Sequence, residues 1–144
     1  MKRTVRVKMH SLIKSIEENG ETIGEPYVGT TDTEGELEFF DGRAVLTWFD
    51  ESDGVRVDAR ITVEDGCVRL SNRGGIKSNL YFRAGAKYTT VYEMLGYAFD
   101  ATVVSEPPSV KLSEDGGEIK IGYTMNLGGD LRIARLRISV SPID

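Results

Sequence analysis

The chain has 144 residues, of which 40% are hydrophobic and 28% are charged, and its formal net charge is −5. This length suits one domain with one core, so we expect a single domain over residues 1–144. The acidic balance argues against nucleic-acid binding, which depends on cationic contacts to phosphate. No apolar run approaches the roughly 20 residues that a membrane-spanning helix needs.

The cysteine count and the N-terminal pattern predict the compartment. A single cysteine cannot form an internal disulfide, which favours a reducing environment. The first residues, MKRTVRVKMHSLIK, mix charged and apolar side chains and lack the apolar run of a signal peptide. We therefore expect a cytoplasmic protein that does not contact a membrane.

The first predicted strand covers Thr4–Ile13. Val5, Val7 and Met9 lie on one face of it, and this period of two is typical of a half-buried strand. The next segment, Glu17–Glu36, shows no periodicity. It is interpreted either as a solvated connection or as a lid or binding loop.

Asp41 and Gly42 predict a two-residue type I′ hairpin, because both residue types accept a positive φ. The turn joins predicted strands at 36–40 and 43–49. In the second strand Leu46 and Trp48 face one way, while the opposite face carries Val45, Thr47 and Phe49. Both faces therefore need a cover, and the outer one would be the acidic loop or the mate in a homodimer that buries Leu46 and Trp48.

Short hairpins continue along the chain. Glycine-containing turns separate further runs of alternating apolar residues, at 55–63, 67–71, 76–82, 95–103, 119–127 and 131–140. Pro107 and Pro108 cannot donate to a central ladder, so they mark a bend, a bulge or an edge. The apolar pattern changes parity within Leu131–Val140, which predicts a β-bulge.

No stretch shows the apolar spacing of a helix. Eight to ten antiparallel strands at hairpin spacing predict an all-β fold, and the meander order with long strands favours a single antiparallel up-and-down β-barrel. Closure of the barrel removes exposed strand edges. It requires the first and last strands to meet, so Thr4–Ile13 is predicted to pair with Leu136–Val140.

Four segments resemble landmarks of the YwiB-like family, a small bacterial family of unknown function. They are Arg73–Lys77 (RGGIK), Phe82–Gly85 (FRAG), Tyr92–Gly96 (YEMLG) and Gly117–Met125 (GEIKIGYTM). The resemblance runs from about Val5 to Ile138. It implies a calycin-like, lipocalin-type β-barrel that can hold a ligand, and it implies no activity and no catalytic residues.

The residues themselves give little support for catalysis or for a metal, so we predict no enzyme, no metal and no cofactor. His10 is the only histidine and lies on the polar face of its strand, and Cys67 has no activating group nearby in sequence. Four carboxylates recur at every second position and are interpreted as solvated charge rather than as cation ligands: Asp32, Glu34, Glu36 and Glu38.

A basic segment stands out in this acidic chain. No acidic residue occurs from Gly66 to Tyr92, whereas five cations do: Arg69, Arg73, Lys77, Arg83 and Lys87. This segment favours an anionic group on any ligand. The predicted ligand-binding residues are Phe39, Phe82, Tyr97, Phe99, Tyr123 and Met125 inside the barrel, with Arg73 and Arg83 at its mouth.

Two functions are consistent with these patterns. One is the binding of a small apolar or amphipathic molecule inside the barrel. In one version of this function the ligand has an anionic head group. The alternative is a non-catalytic interaction or assembly module that has a packed barrel and acts as a homodimer. Bulky inward side chains can line a pocket or fill a barrel of this size. An open interior would favour the first function and a packed interior the second.

Overall fold

A computed structural model describes residues 2–52, 54–94 and 96–143, which form eleven β-strands and no helix. The strands are β1 (Lys2–Ile16), β2 (Thr22–Phe40), β3 (Arg43–Ser52), β4 (Val55–Glu64), β5 (Cys67–Gly74), β6 (Ile76–Phe82), β7 (Lys87–Met94), β8 (Tyr97–Ser105), β9 (Ser109–Ser113), β10 (Gly116–Leu127) and β11 (Asp130–Pro142). Leu95, where the predicted run 95–103 begins, lies outside the described residues. The rest of that run belongs to β8.

The strands form one closed antiparallel barrel. Each strand from β1 to β8 pairs with its neighbour in sequence, and β11 pairs with both β10 and β1. The closing register includes Val7–Val140 and Met9–Ile138, which confirms the predicted pairing of the first and last strands. β8 and β9 pair in succession with β10 on either side of the Pro107–Pro108 bend. The wall therefore has ten strand positions, within the predicted eight to ten.

Alternate residues of the strands fill the interior. Val7, Phe82 and Ile138 have no exposed surface, and they belong to one continuous apolar cluster that runs through the barrel. The rings of Phe82 and Tyr123 pack with their centroids 4.9 Å apart. Removal of this apolar surface from water is the main term that stabilises the fold.

The prediction of an irregular segment at Glu17–Glu36 was wrong for most of its length. β2 begins at Thr22 and pairs with β1 down to Ile16. Apolar alternation fails here because this half of the β1–β2 hairpin extends beyond the core, where both faces meet solvent. Its large apolar residues are accordingly exposed: Ile23 (49%), Tyr27 (63%) and Val28 (56%).

The outward orientation predicted for Leu46 and Trp48 was also wrong. Both point into the barrel, with 1% and 6% of their surface exposed, so they cannot form the predicted dimer contact. The indole is accommodated because Trp48 lies opposite Gly35 on β2 and Ala59 on β4. Phe49 is the large residue of β3 that faces solvent.

The bulge predicted in the last strand is absent. β11 pairs with β10 without a register shift from Asp130–Leu127 to Val140–Gly117. The apparent change of parity arises because Leu131 and Ile133 are half-buried on the outer face, so apolar residues occur on both faces there. The register shift lies instead in the β1–β2 pair, between Ile13 and Ser15.

Candidate ligand-binding groove

A groove of about 720 Å³ crosses the outer face of the barrel from β1 to β6. Its volume falls within the roughly 300–1,000 Å³ typical of small-molecule sites. Four arginines line it together with Ser71 and Asn79; they are Arg56, Arg60, Arg69 and Arg73. These residues alternate along their strands with core residues, so the groove lies outside the barrel.

The β4–β5 hairpin brings three of the arginines together. Its turn residues, Asp65 and Gly66, have φ values of 47° and 72°, as a type I′ turn requires. The turn sets the register so that Arg60 lies directly opposite Ser71. Arg69 and Arg73 are each two residues from Ser71 on β5, and such diagonal neighbours of Arg60 lie about 7–8 Å away. The three cations therefore surround Ser71.

The β5–β6 turn holds the fourth arginine at the edge of the groove. The Gly75 N–H donates to the Arg56 carbonyl oxygen at 3.0 Å. Gly74 has a φ of +105°, and a Cβ atom at this position would collide with that same carbonyl. The close approach therefore requires glycine, and it fixes the backbone of Arg56 against the turn.

The charges of the groove are only partly neutralised. The Arg56 guanidinium donates to the Asp58 carboxylate at 2.9 Å and lies 4.0 Å from the centre of the Phe49 ring. Within the described residues, no ion pair engages Arg60, Arg69 or Arg73, although Asp58 lies opposite Arg73 in register. The acids of the far rim, Glu34 and Glu36, are on β2, and Glu36 pairs with Lys2 at 3.0 Å. Positive charge is thus concentrated on the β4–β5 side, where a concave surface strengthens its field.

The groove adjoins an irregular junction between β6 and β7, which we call the β6–β7 seam. Among the residues that the structure describes, the two strands are in register at Ile76–Met94 and Lys77–Glu93 alone. Further along, the Tyr88 hydroxyl accepts a hydrogen bond from the Tyr81 N–H at 2.7 Å and donates one to the Tyr81 carbonyl at 2.8 Å. The two tyrosine rings stack with their centroids 3.8 Å apart. Burial raises the pKa of Tyr88 to about 12, so the hydroxyl keeps its proton at neutral pH.

The six side chains predicted to hold a ligand inside the barrel are mostly packed. Phe82, Tyr123 and Met125 are buried in the core, and Phe39 and Phe99 are partly buried against it. Tyr97 is instead 69% exposed, because it flanks the β7–β8 turn beyond the point where β10 pairs with β8. The structure therefore brings five of the six together as core, with the Phe82–Tyr123 ring pair as the closest aromatic contact described among them.

The two arginines predicted at one mouth lie far apart along the barrel. Arg73 lines the outer groove, next to the turn at Gly74. Arg83 is exposed beside the following turn, and successive hairpin turns lie at opposite ends of a barrel. Sequence analysis missed Arg56 and Arg60. The position of the Asp65–Gly66 turn could have located Arg60. Pairing residues outward from a two-residue turn places Arg60 opposite Ser71.

Groups able to do covalent or metal chemistry are not assembled in the described chain. His10 is exposed, and Cys67 is a buried free thiol. No set of three or more His, Cys, Asp or Glu residues suited to a metal ion occurs among residues 2–52, 54–94 and 96–143. Of the predicted carboxylate row, Asp32 accepts a hydrogen bond from Arg6 at 2.6 Å, which lowers the pKa of Asp32.

Fold and groove together define a closed antiparallel β-barrel with a polar, arginine-lined outer site. Residues 7–139 match the family model described as Domain of unknown function (DUF1934), and the chain belongs to this family. None of the described segments is a helix long and apolar enough to cross a membrane.

Two comparisons identify relatives of the chain in Bacillus subtilis. The chain is 26% identical over 88 residues to "Uncharacterized beta-barrel protein YwiB" of strain 168, and the match covers 61% of this chain and 62% of that protein, less than two thirds of its length. The crystal structure of the ywiB protein superposes with a TM-score of 0.81 over 99% of this chain and 94% of that one, at 22% identity, which shows a shared fold. The predicted YwiB-like membership is confirmed, and neither description assigns a ligand.

Proposed function

We propose that this protein is a non-catalytic binding module that takes an anionic ligand in its outer groove. The observation that carries the proposal is the triangle of Arg60, Arg69 and Arg73, none of which has a carboxylate partner within the described residues. Like charges at this spacing repel one another. A bound anion relieves that repulsion and accepts charge-assisted hydrogen bonds, which are about twice as strong as neutral ones.

The donors of the groove favour a ligand with more than one negative group. A guanidinium presents a planar fork that matches a carboxylate or a phosphate, and Arg69 and Arg73 stand on opposite sides of Ser71. Arg60 lies between them on the neighbouring strand. Ser71 and Asn79, which hydrogen-bond to each other at 3.3 Å, add neutral polar groups at the same place. A polycarboxylate or an oligophosphate meets these requirements.

A ligand inside the barrel has less support. A molecule there would have to displace side chains such as Phe82 and Tyr123, which already pack against each other, and protein interiors tolerate such insertion poorly. The outer groove therefore suits the anionic group of a ligand better than the barrel interior suits an apolar one. A homodimer through a surface other than Leu46 and Trp48 stays a prediction.

The proposal is tested by titrating tripolyphosphate, a compact multivalent anion, into the protein by isothermal calorimetry. Arg60→Gln should weaken binding by about 1.5–3 kcal/mol, the usual value of a hydrogen bond to a charged group. Arg135→Gln is the matched control, because Arg135 is an exposed outer-face arginine that pairs with Glu106 at 2.9 Å outside the groove. It should leave the affinity unchanged.

Glu34→Gln provides a change in the opposite direction. This variant removes an acidic group from the rim of the groove, so it should raise the affinity for tripolyphosphate. Lack of saturable binding by the wild-type protein would contradict the proposal. Equal losses in Arg60→Gln and Arg135→Gln would also contradict it, because they would indicate attraction to surface charge in general.

A further inference from the structure

We infer that the natural ligand is an acidic polypeptide segment in an extended conformation, which adds as a strand to the open edge of β6 in the β6–β7 seam. The inference rests on the proposed function, because Asn79 and Arg69 line the groove and also border the seam. It adds the chemical class of the ligand and the way in which its backbone is held.

The edge of β6 is open where a neighbouring strand should pair. The Tyr81 N–H and carbonyl point toward β7, yet they bond to a side chain rather than to a backbone. Backbone groups alternate along a strand, so those of Asn79 point the same way, and no described residue of β7 is in register with Asn79. Such a row of backbone donors and acceptors is the template to which extended peptides add.

Tyr88 occupies the position of the missing strand. Its single hydroxyl accepts from the Tyr81 N–H and donates to the Tyr81 carbonyl, the two bonds that a paired residue would make with its own backbone. The phenol ring extends from β7 across the seam to reach them. A side chain therefore takes the place of a paired backbone between the two strands at Tyr81. An added strand pairs with Tyr81 only when this side chain, which also packs against the core, moves aside.

The charges around the seam select an acidic segment. Lys77, Arg83 and Lys87 are exposed on β6, on the following turn and at the start of β7. The Arg69 guanidinium lies 5.6 Å from the centre of the Tyr81 ring. On the described residues of β6 and β7, the one carboxylate is that of Glu93, opposite Lys77. Every second side chain of an added strand faces outward among these cations, so carboxylates at alternate positions give charge complementarity.

The test uses a fluorescein-labelled ten-residue peptide of alternating glutamate and threonine, followed by fluorescence anisotropy. The wild-type protein should bind it saturably. Tyr88→Phe keeps the ring and removes the hydroxyl, so the peptide no longer competes with that hydroxyl for Tyr81, and binding should become about three- to tenfold tighter, the value of about one net hydrogen bond. A lysine–threonine peptide should not bind.

The backbone contribution is tested with a second peptide, N-methylated at alternate residues so that one edge loses its donors while the charges stay the same. It should bind at least about tenfold more weakly, because added strands are held by main-chain hydrogen bonds. Amide exchange of the wild-type protein provides a readout without any variant. The Tyr81 and Asn79 amides should become more protected when the unmodified peptide is added.

Two results would overturn the inference: equal affinity for the methylated and unmodified peptides, or unchanged amide protection at Asn79 and Tyr81 in the saturated complex. A binding measurement with tripolyphosphate distinguishes failure of the strand addition from failure of the proposed function. If tripolyphosphate still binds in an Arg60-dependent way, only the strand addition is wrong. If neither probe binds, the groove itself is not an anion site.

Discussion

The inner and outer faces of strands β3–β6 differ sharply although the same strands build both. On the inner face, small and large residues are matched across the strands, as where Gly35 and Ala59 flank Trp48. On the outer face, Arg60 and its diagonal neighbours form no ion pairs with carboxylates within the described residues, and Asp58, opposite Arg73, pairs with Arg56 instead. One face is closely packed, and the other carries neighbouring like charges that no ion pair offsets.

This difference separates the residues that stabilise the barrel from those that we assign to binding. Changes on the inner face should alter stability, whereas changes among the groove arginines should alter affinity and leave stability unchanged or improved. Gly74 supports both the barrel backbone and the position of Arg56, so a change at Gly74 should alter both stability and affinity.

Phe82→Ala should reduce the free energy of unfolding by about 3–5 kcal/mol, because it leaves a cavity in a filled interior. Urea denaturation measures the change. Phe49→Ala is the matched control on the outer face, where 45% of the residue is exposed, and it should cost well under half as much. A loss below about 1 kcal/mol for Phe82→Ala would show that the interior is open and would restore the barrel-interior ligand.

Gly74→Ala should destabilise the protein by about 1–3 kcal/mol through backbone strain and should also weaken tripolyphosphate binding, since Arg56 would move. Gly42→Ala is the control: Gly42 also has a positive φ, of +75°, but a Cβ atom there meets nothing within 4 Å. It should cost less stability and leave binding intact. Equal effects of the two variants on binding would remove Gly74 from the support of the groove.

Exchange of Arg60, Arg69 and Arg73 together for glutamine should leave stability unchanged or raise it by up to about 1 kcal/mol at low salt, because like charges near one another destabilise a sheet. Thermal denaturation with and without added salt measures this, since salt should reduce the difference. A clear loss of stability in the triple variant would show that these arginines have a structural role.

Tyr88 should contribute a small alkaline dependence of stability. Its pKa is raised from the ordinary 10.0 to about 12 in the folded state, so the unfolded chain loses this proton first. The stabilisation from Tyr88 is complete below pH 10 and is lost as the pH rises through 12. Tyr88→Phe should therefore show a shallower fall in the free energy of unfolding over this range. Identical slopes for the two proteins would contradict a buried, hydrogen-bonded phenol.

Much of the barrel could be predicted from the sequence because turn residues report register. Asp41–Gly42 and Asp65–Gly66 adopt the positive φ values that their hairpins require. The sequence of β3 does not show which of its faces is the inner one, since both faces carry apolar residues. Trp48 faces inward because the small residues Gly35 and Ala59 lie opposite it on the neighbouring strands, and no pattern within β3 contains that information.

The sequence predicted only part of the candidate groove. The basic segment marked Arg69 and Arg73 by composition, whereas Arg60 joins them through cross-strand register. The β6–β7 seam had no local signal at all, because the Tyr88–Tyr81 hydrogen bonds depend on how far two strands stand apart. Tertiary distances of this kind are not encoded in hydrophobic periodicity.

The most direct test of the central claim is a nuclear magnetic resonance titration that observes the arginine Nε–H groups while tripolyphosphate is added. The signals of Arg60, Arg69 and Arg73 should shift together and saturate with one dissociation constant. Those of Arg135 and Arg137, which pair with Glu106 and Glu118 outside the groove, should stay in place. Small unsaturable shifts spread evenly over all the arginines would contradict a specific anion site in the outer groove.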